Sequence, residues 1–257
     1  MPDHSSLLTF VLAWFRGTLE RNLWLLGDTL MGNEPPEWTS FEPLAAAILT
    51  ALLILFMTWV VRSRLRDPES AVVPDEKLTV LTFLEVFLGY FYDLAKSMMD
   101  EKRAKKYYPI IGTSALFVFF SNVMALVPGM QVATSSLNVT MGCALVVFVL
   151  FNVYGLMANG WGYVKHLFGP SVFLAPLVFV IEVISLCVRP VTLSVRLMVN
   201  MSADHLVMLG FMGLLPILVP IPVQLLGVVI ILVQTLVFTL LTAIYIALAT
   251  EHEAEEH

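Results

Sequence analysis

Long apolar runs dominate this sequence, and a run of about twenty such residues fits a bilayer better than any soluble core. A hydrocarbon layer about 30 Å thick takes roughly 20 apolar residues per helical span. Residues 44–61 contain no charge and are followed at once by Arg62, Arg64 and Arg66. Residues 110–127 stop at Pro128-Gly129, and residues 139–157 stop near Asn159-Gly160. From Pro170 to Ala249 the chain is almost continuously apolar apart from Pro216, Pro220 and Pro222. Proline cannot continue a helix cheaply, so this stretch reads as two long helices joined by a proline-rich turn.

Composition agrees. Of 257 residues, 58% are hydrophobic and 13% charged, whereas soluble domains carry about 25% charged residues. Disorder and an ordinary cytosolic enzyme are excluded, and a net charge of -6 offers no surface for nucleic acid. Cys143 and Cys187 lie inside apolar runs, which gives neither a disulfide framework nor a cysteine metal site. No metal or cofactor is expected. The sequence reads as an all-α integral membrane protein with five membrane-embedded helices and one surface-lying amphipathic helix. The last two spans form a long, strongly tilted hairpin.

The surface-lying helix is assigned to residues 78–99, which carry Glu85, Asp93 and Lys96 and so favour the interface over a crossing. The N-terminus is acidic and interrupted by Arg16 and Arg21, unlike a secretory signal. Residues 7–26, with Leu7, Leu8, Val11, Trp14 and Phe15 on one side, read as an interfacial amphipathic helix. Orientation follows from the basic residues. With the N-terminus outside, ten of the fourteen lysines and arginines fall inside, from Arg62 through Lys77, the cluster at 102–106 and Lys165, and only Arg16 and Arg21 outside. The expected organisation is an external or interfacial segment (1–42), three spans with a basic cytoplasmic connection at 62–108 (43–170), the hairpin (171–250) and an acidic cytoplasmic tail (251–257).

The fourth span is the unusual one. Residues 170–215 would make a helix about 69 Å long at 1.5 Å per residue, roughly twice the hydrocarbon thickness, so it must tilt strongly or bend. Pro176 and Pro190 are available as bends. Along it lie Glu182, Ser185, Arg189, Thr192, Arg196, Asn200 and Asp204, which at 100° per residue share a sector of about 120°. An ionised group at mid-bilayer costs about 2.5–3.5 kcal/mol even on lenient scales, so this stripe must face protein or water. Arg189 reads either as a snorkelling or lipid-binding residue or as an ion-pair partner of Glu182. Arg196 lies deeper and reads either as one half of a buried pair with Asp204 or Glu182 or as a functional cation; it stays charged, so it cannot relay protons itself. It can draw a neighbouring carboxylate towards its ionised form while blocking a direct leak. On the last helix Gln224, Gln234, Thr235, Thr239, Thr242 and Tyr245 are polar; Gln234 and the threonines either line a wet cleft with the stripe or bond within and between helices.

The run Arg189-Pro-Val-Thr-Leu-Ser-Val-Arg196-Leu-Met-Val-Asn200-Met-Ser-Ala resembles the signature of subunit a of F-type ATP synthases. Three further pieces agree in order: Phe120-Ser-Asn122 to Pro128-Gly129, Leu137-Asn138-Val-Thr140, and Gln234 to Tyr245. The similarity covers roughly residues 42–250. It implies a non-catalytic stator subunit in a bacterial inner membrane, beside a rotating c-subunit ring and the peripheral-stalk b subunits, with two offset half-channels for protons. Arg196 matches the arginine that faces the ring carboxylate. Glu182 and Ser185 match positions of the inner half-channel, and Asn200 and Gln234 match polar positions near the arginine and the outer half-channel. Arg189 and Tyr245 are supporting candidates. Some relatives carry an acid at the position of His205 and a histidine on the last helix, where this chain has Gly227. An imidazole at His205, with its pKa near 6.5, would then relay protons in the outer channel, Gly227 leaving room for it or for water, with Asp204 tuning it or solvating the channel mouth.

Two other function classes fit less well. A self-contained secondary transporter or channel usually draws intramembrane polar groups from several spans or from broken helices; here the charges lie on one helix. An intramembrane enzyme needs a nucleophile and base at matched depth or paired metal ligands, and His205 has no such companion.

Overall fold

The computed structural model describes residues 6–21, 41–64, 79–127, 130, 132–160, 162–163, 175–212 and 220–250. Its helices are α1 (Leu7–Trp14), α2 (Arg16–Arg21), α3 (Glu42–Arg64), α4 (Val80–Met98), α5 (Glu101–Val123), α6 (Leu137–Asn159), α7 (Ala175–Met212) and α8 (Pro220–Ala249). Short 3-10 turns lie at Met124–Leu126 and Ala133–Ser135, and no strand occurs among the described residues. Five stretches are long and apolar enough to cross a bilayer: Glu42–Ser63, Glu101–Leu126, Leu137–Asn159, Pro176–Asp204 and Pro222–Ala249. The chain is an all-α membrane protein. Several expected features lie outside the described residues: the stop at Pro128-Gly129, Arg66, Lys77 and Lys165, the turn around Pro216, and the tail 251–257.

The expected spans reappear, most of them longer than the apolar runs. The largest change is in α5, which begins at Glu101, so that Lys102, Arg103, Lys105 and Lys106 form its first turns and not a loop. Asp100 stands at the N-cap and Glu101 in the first turn, where negative charge complements the helix dipole. Helix α6 stops at Gly160, whose φ of 52° falls in the left-handed region open to glycine. The single helix expected over 7–26 is two short ones parted at Phe15, where the apolar run gives way to Arg16-Gly17; residues 22–26 lie outside the described set. Ser6 and Thr9 form a capping box on α1, and the Thr9 hydroxyl donates to the Glu42 carboxylate, tying α1 to the start of the first span.

Helix α4 is not one of the five spans. It folds back antiparallel along α5 through an aromatic ladder. Tyr92 meets Tyr108 at 5.2 Å between centroids, Phe87 meets Phe119 at 4.9 Å, and the Tyr108 hydroxyl donates to the Leu88 carbonyl at 2.6 Å. It buries Leu84, Phe91 and Ala95 and leaves Glu85, Asp93 and Lys96 exposed.

Helices α5 to α8 share one core. Tyr107, Ile111 and Val118 of α5 meet Val147 and Phe151 of α6, Leu193 and Leu197 of α7, and Phe238 and Ile246 of α8. Helices in hydrocarbon gain little from the hydrophobic effect, so close packing and hydrogen bonds hold them. Thr134 donates to Asn122 Oδ1 at 2.8 Å. The carbonyls that end α8 have no partner within their own helix. They accept from Asn159 Nδ2 at 3.0 Å and, at Thr250, from Arg103 at 3.1 Å. Helix α7, with 38 residues, is about 57 Å long and continues through Pro190. Pro176 is its second residue, where a proline costs little. A helix of that length fits a membrane only with a strong tilt.

The packing of α6 on the end of α8 yields a test. A Cβ at Gly155 would lie 2.8 Å from the Tyr163 ring and 3.1 Å from both the Cβ and the carbonyl oxygen of Ala249. Gly155→Val is expected to destabilise the protein by about 1–3 kcal/mol, read as a lower thermal unfolding midpoint in detergent. An unchanged midpoint would show that α6 and α8 do not meet this closely.

Candidate functional site

The polar stripe exists as a continuous feature of α7, and it runs along a seam. Pro190, Leu193, Ser194, Leu197 and Met201 face the core and are buried. Val188, Val191, Val195 and Val199 face outward and are exposed. The stripe lies between these faces. Ser185, Thr192 and Arg196 are exposed, while Glu182, Arg189 and Asp204 are half-buried. By helical geometry Arg196 sits about 40° further towards the exposed valines than Glu182 and Asn200 do.

Three contacts define how α8 meets this seam. The Arg189 guanidinium lies over the Tyr245 ring, 5.1 Å from its centroid. Asn200 Nδ2 donates to Gln234 Oε1 at 2.7 Å. The carboxyl of Asp204 lies against Gly227, where a Cβ would come within 3.1 Å of Oδ2. Read in order, these pairs make α7 and α8 antiparallel, with contacts at 189, 200 and 204 of a stripe that begins at 182. Arg196 falls between the first two contacts. Among the described residues no hydrogen bond or ion pair reaches its guanidinium.

Some expectations change. The Glu182–Arg189 ion pair does not form; Arg189 is held by the Tyr245 ring, a cation–π contact. Thr235, Thr239 and Thr242 do not line a wet cleft. They are buried, and each donates to a carbonyl of its own helix: Ile231, Thr235 and Phe238, at 2.8–2.9 Å. Buried in apolar surroundings, a threonine hydroxyl takes the nearest carbonyl, one turn back. Gln234 is 3% exposed; it meets Asn200 as the stripe suggested, but its Nε2 has no partner among the described residues. The space at Gly227, expected to admit His205 or water, is occupied by Asp204; the side chain of His205 lies outside the described set.

Two residues near the other end of the stripe were not legible in the sequence. The Tyr163 hydroxyl donates to Asn152 Oδ1 at 2.9 Å. Burial pushes the Tyr163 hydroxyl above the usual tyrosine range, Arg189 opposing the shift and Glu182 adding to it, so both charges act on this ring. A tyrosine just past the end of α6 and an asparagine within an apolar helix carry no periodic signal. Glutamine 224, whose Nε2 donates to the Leu126 carbonyl at 2.8 Å, braces α8 on the 3-10 turn after α5. A cavity of about 750 Å³ between α3, α5 and α6, which Phe238 of α8 also lines, has no lining residue from α7 among the described residues. Among the described residues no three His, Cys, Asp or Glu converge.

A family described as the ATP synthase A chain matches residues 44–247. The chain belongs to the ATP synthase subunit a family. It is 51% identical over 257 residues to the ATP synthase subunit a of Sorangium cellulosum (strain So ce56), covering 100% of both chains. It is 39% identical over 193 residues to that of Bdellovibrio bacteriovorus, 75% of this chain and 84% of the relative. It is 42% identical over 168 residues to that of a Sulfurihydrogenibium species, 65% of this chain and 81% of the relative. Membership makes this chain a multi-pass membrane subunit of an F-type ATP synthase.

The Asn200–Gln234 pair predicts an order of stabilities in this subunit a. Asn200→Leu strips the buried Gln234 amide of its one partner and is expected to cost about 1–3 kcal/mol. Gln234→Met loses the hydrogen bond but also removes an unsatisfied buried donor, so the net cost should stay below about 1 kcal/mol. Thermal unfolding in detergent ranks the two; the reverse order would contradict the geometry.

Proposed function

We propose that this chain is the stator side of a rotary proton path, working against a ring of c subunits that carry the proton-binding carboxylates. The single observation that supports this reading is the position of Arg196. It is a permanent cation within a membrane span, exposed at the seam between the core face of α7 and its outward valines, with no hydrogen bond or ion pair from its own chain among the described residues. A cation so placed is costly in lipid and becomes favourable when an acid from another protein meets it.

The mechanism follows from that charge. A ring carboxylate arriving protonated beside Arg196 is drawn towards its ionised form and gives up its proton to the inner half-channel, near Glu182, Ser185, Arg189 and Tyr245. It is reprotonated through the outer half-channel, near Asn200, Asp204, His205 and Gln234. Arg196 divides the two, because a guanidinium does not give up its proton, and protons must travel with the ring. Each charge that crosses releases about 2.3 kcal/mol per 100 mV. No covalent step belongs to this chain. The peripheral-stalk b subunits would hold it against the torque. In this reading the membrane is the bacterial inner membrane, with the N-terminus outside, the basic residues of 62–108 inside and the C-terminus cytoplasmic.

Replacing the arginine tests the reading. Arg196→Ala in the assembled complex is expected to abolish ATP-driven proton pumping and coupled synthesis while permitting passive proton leak through vesicles. A variant that still pumps would remove Arg196 from the mechanism.

A further inference from the structure

Thr250, just past the end of α8, is buried. Arg103 Nη1 donates to its carbonyl at 3.1 Å, so the peptide bond that opens residues 251–257 starts at this guanidinium. Nη2 of Arg103 donates to Asp100 at 3.1 Å, and its buried Nε has no partner among the described residues. Around Arg103 the flank of α5 is basic. At 100° per residue Arg103, Lys106, Lys102 and Lys105 follow one another round an arc of about 160° that begins at α8. The acids of this turn are already paired, Asp100 with Arg103 and Glu101 with Lys96 at 2.9 Å. Lys102 and Lys105 are exposed, and among the described residues no ion pair reaches either. The segment that leaves Thr250 is acidic, with Glu251, Glu253, Glu255 and Glu256 among seven residues.

We propose that residues 251–257 fold back as an acidic clasp along this flank of α5, with Lys102, Lys105 and the Arg103 guanidinium as its seat. Reach and spacing both fit. Three extended residues span about 10 Å, the width of a helix with its side chains. In an extended segment Glu251, Glu253 and Glu255 share one face at intervals of about 6.7 Å, close to the rise of about 6 Å from Lys102 to Lys106. An exposed ion pair is weak by itself. The segment is tethered at the patch, however, so its pairs form within one molecule at high effective concentration. A lipid headgroup must reach the same lysines without that tether. The clasp adds a tie at the end of α8, where Asn159 and Arg103 already hold the last carbonyls, one turn beyond Tyr245. It stands on the Arg103–Thr250 contact and does not depend on the channel function.

Cross-linking in the assembled complex tests this, with Cys143 and Cys187 replaced by serine and the complex placed in phosphatidylcholine vesicles with and without phosphatidylglycerol. Under mild oxidant, Lys102→Cys with Glu253→Cys is expected to form a disulfide about tenfold or more faster than Ser63→Cys with Glu253→Cys; Ser63 is exposed at the end of α3. Both lipid compositions should give this bond. Its rate should fall when salt shortens the Debye length from about 10 Å to about 3 Å, and fall likewise when Glu251, Glu255 and Glu256 become glutamine. Lys105→Glu should slow it, and Glu255→Lys added to that variant should restore it. The proposal is overturned if the two cysteine pairs react equally, or if the glutamines leave the rate unchanged. It is also overturned if phosphatidylglycerol suppresses the bond, which would give the lysines to lipid headgroups, or if Glu255→Lys brings no rescue. Should the cysteine pair fail to assemble, the charge pair decides alone through the thermal unfolding midpoint in detergent. Lys105→Glu should then lower the midpoint and Glu255→Lys restore it; an unchanged midpoint or an absent rescue overturns the clasp.

Discussion

A guanidinium inside a membrane span must find compensation, and Arg196 finds none within its own chain among the described residues. Insertion of such a charge costs about 2.5–3.5 kcal/mol on the lenient scale, comparable with a large share of a domain's net stability. Two of the other three charged stripe residues lie against α8. Arg189 lies on an aromatic ring, and Asp204 is seated on a glycine. Arg196 is exposed between the contacts that α7 makes with α8 at Arg189 and Asn200, and the proposed function supplies an acid to meet it there.

The rest of the fold keeps that residue where it is. Leu193, Leu197 and Met201 lock the back of α7 into the core, so the helix cannot rotate to hide its charge. The α7–α8 contacts at 189/245, 200/234 and 204/227 fix the antiparallel register. Asn159 and Arg103 hold the last carbonyls of α8 from two other helices, anchoring the hairpin at the end opposite Asp204. The stripe is thus a rigid strip between a packed face and an open one. The proposed proton path would run along that strip.

Much of this was legible in the sequence, for a simple reason. Spans follow from hydropathy and length, and the stripe follows from the 100° step of a helix, both of which are local properties. The long fourth helix and the polar sector both come from that reasoning. What was not legible depends on which side chains meet across helices. The threonines of α8 are identical in sequence whether they line water or bond back to Ile231 and Phe238; burial decides. The Glu182–Arg189 spacing suited an ion pair, but Tyr245 lay closer to hand. Gly227 pointed to a space, yet only packing shows that Asp204 fills it. The early start of α5 was hidden because its first turns are as basic as a loop.

Disulfide cross-linking tests most directly whether the open face of α7 works against another subunit. Cysteines introduced at Val195 and Val199, which flank Arg196 on the exposed side, should cross-link in the assembled complex to cysteines placed beside the proton-binding carboxylate of the small hydrophobic ring subunit. A cysteine at Leu197, buried on the core side, should not. Cross-links from Leu197 and none from Val195 or Val199 would mean that Arg196 turns away from the ring, and the account would fail.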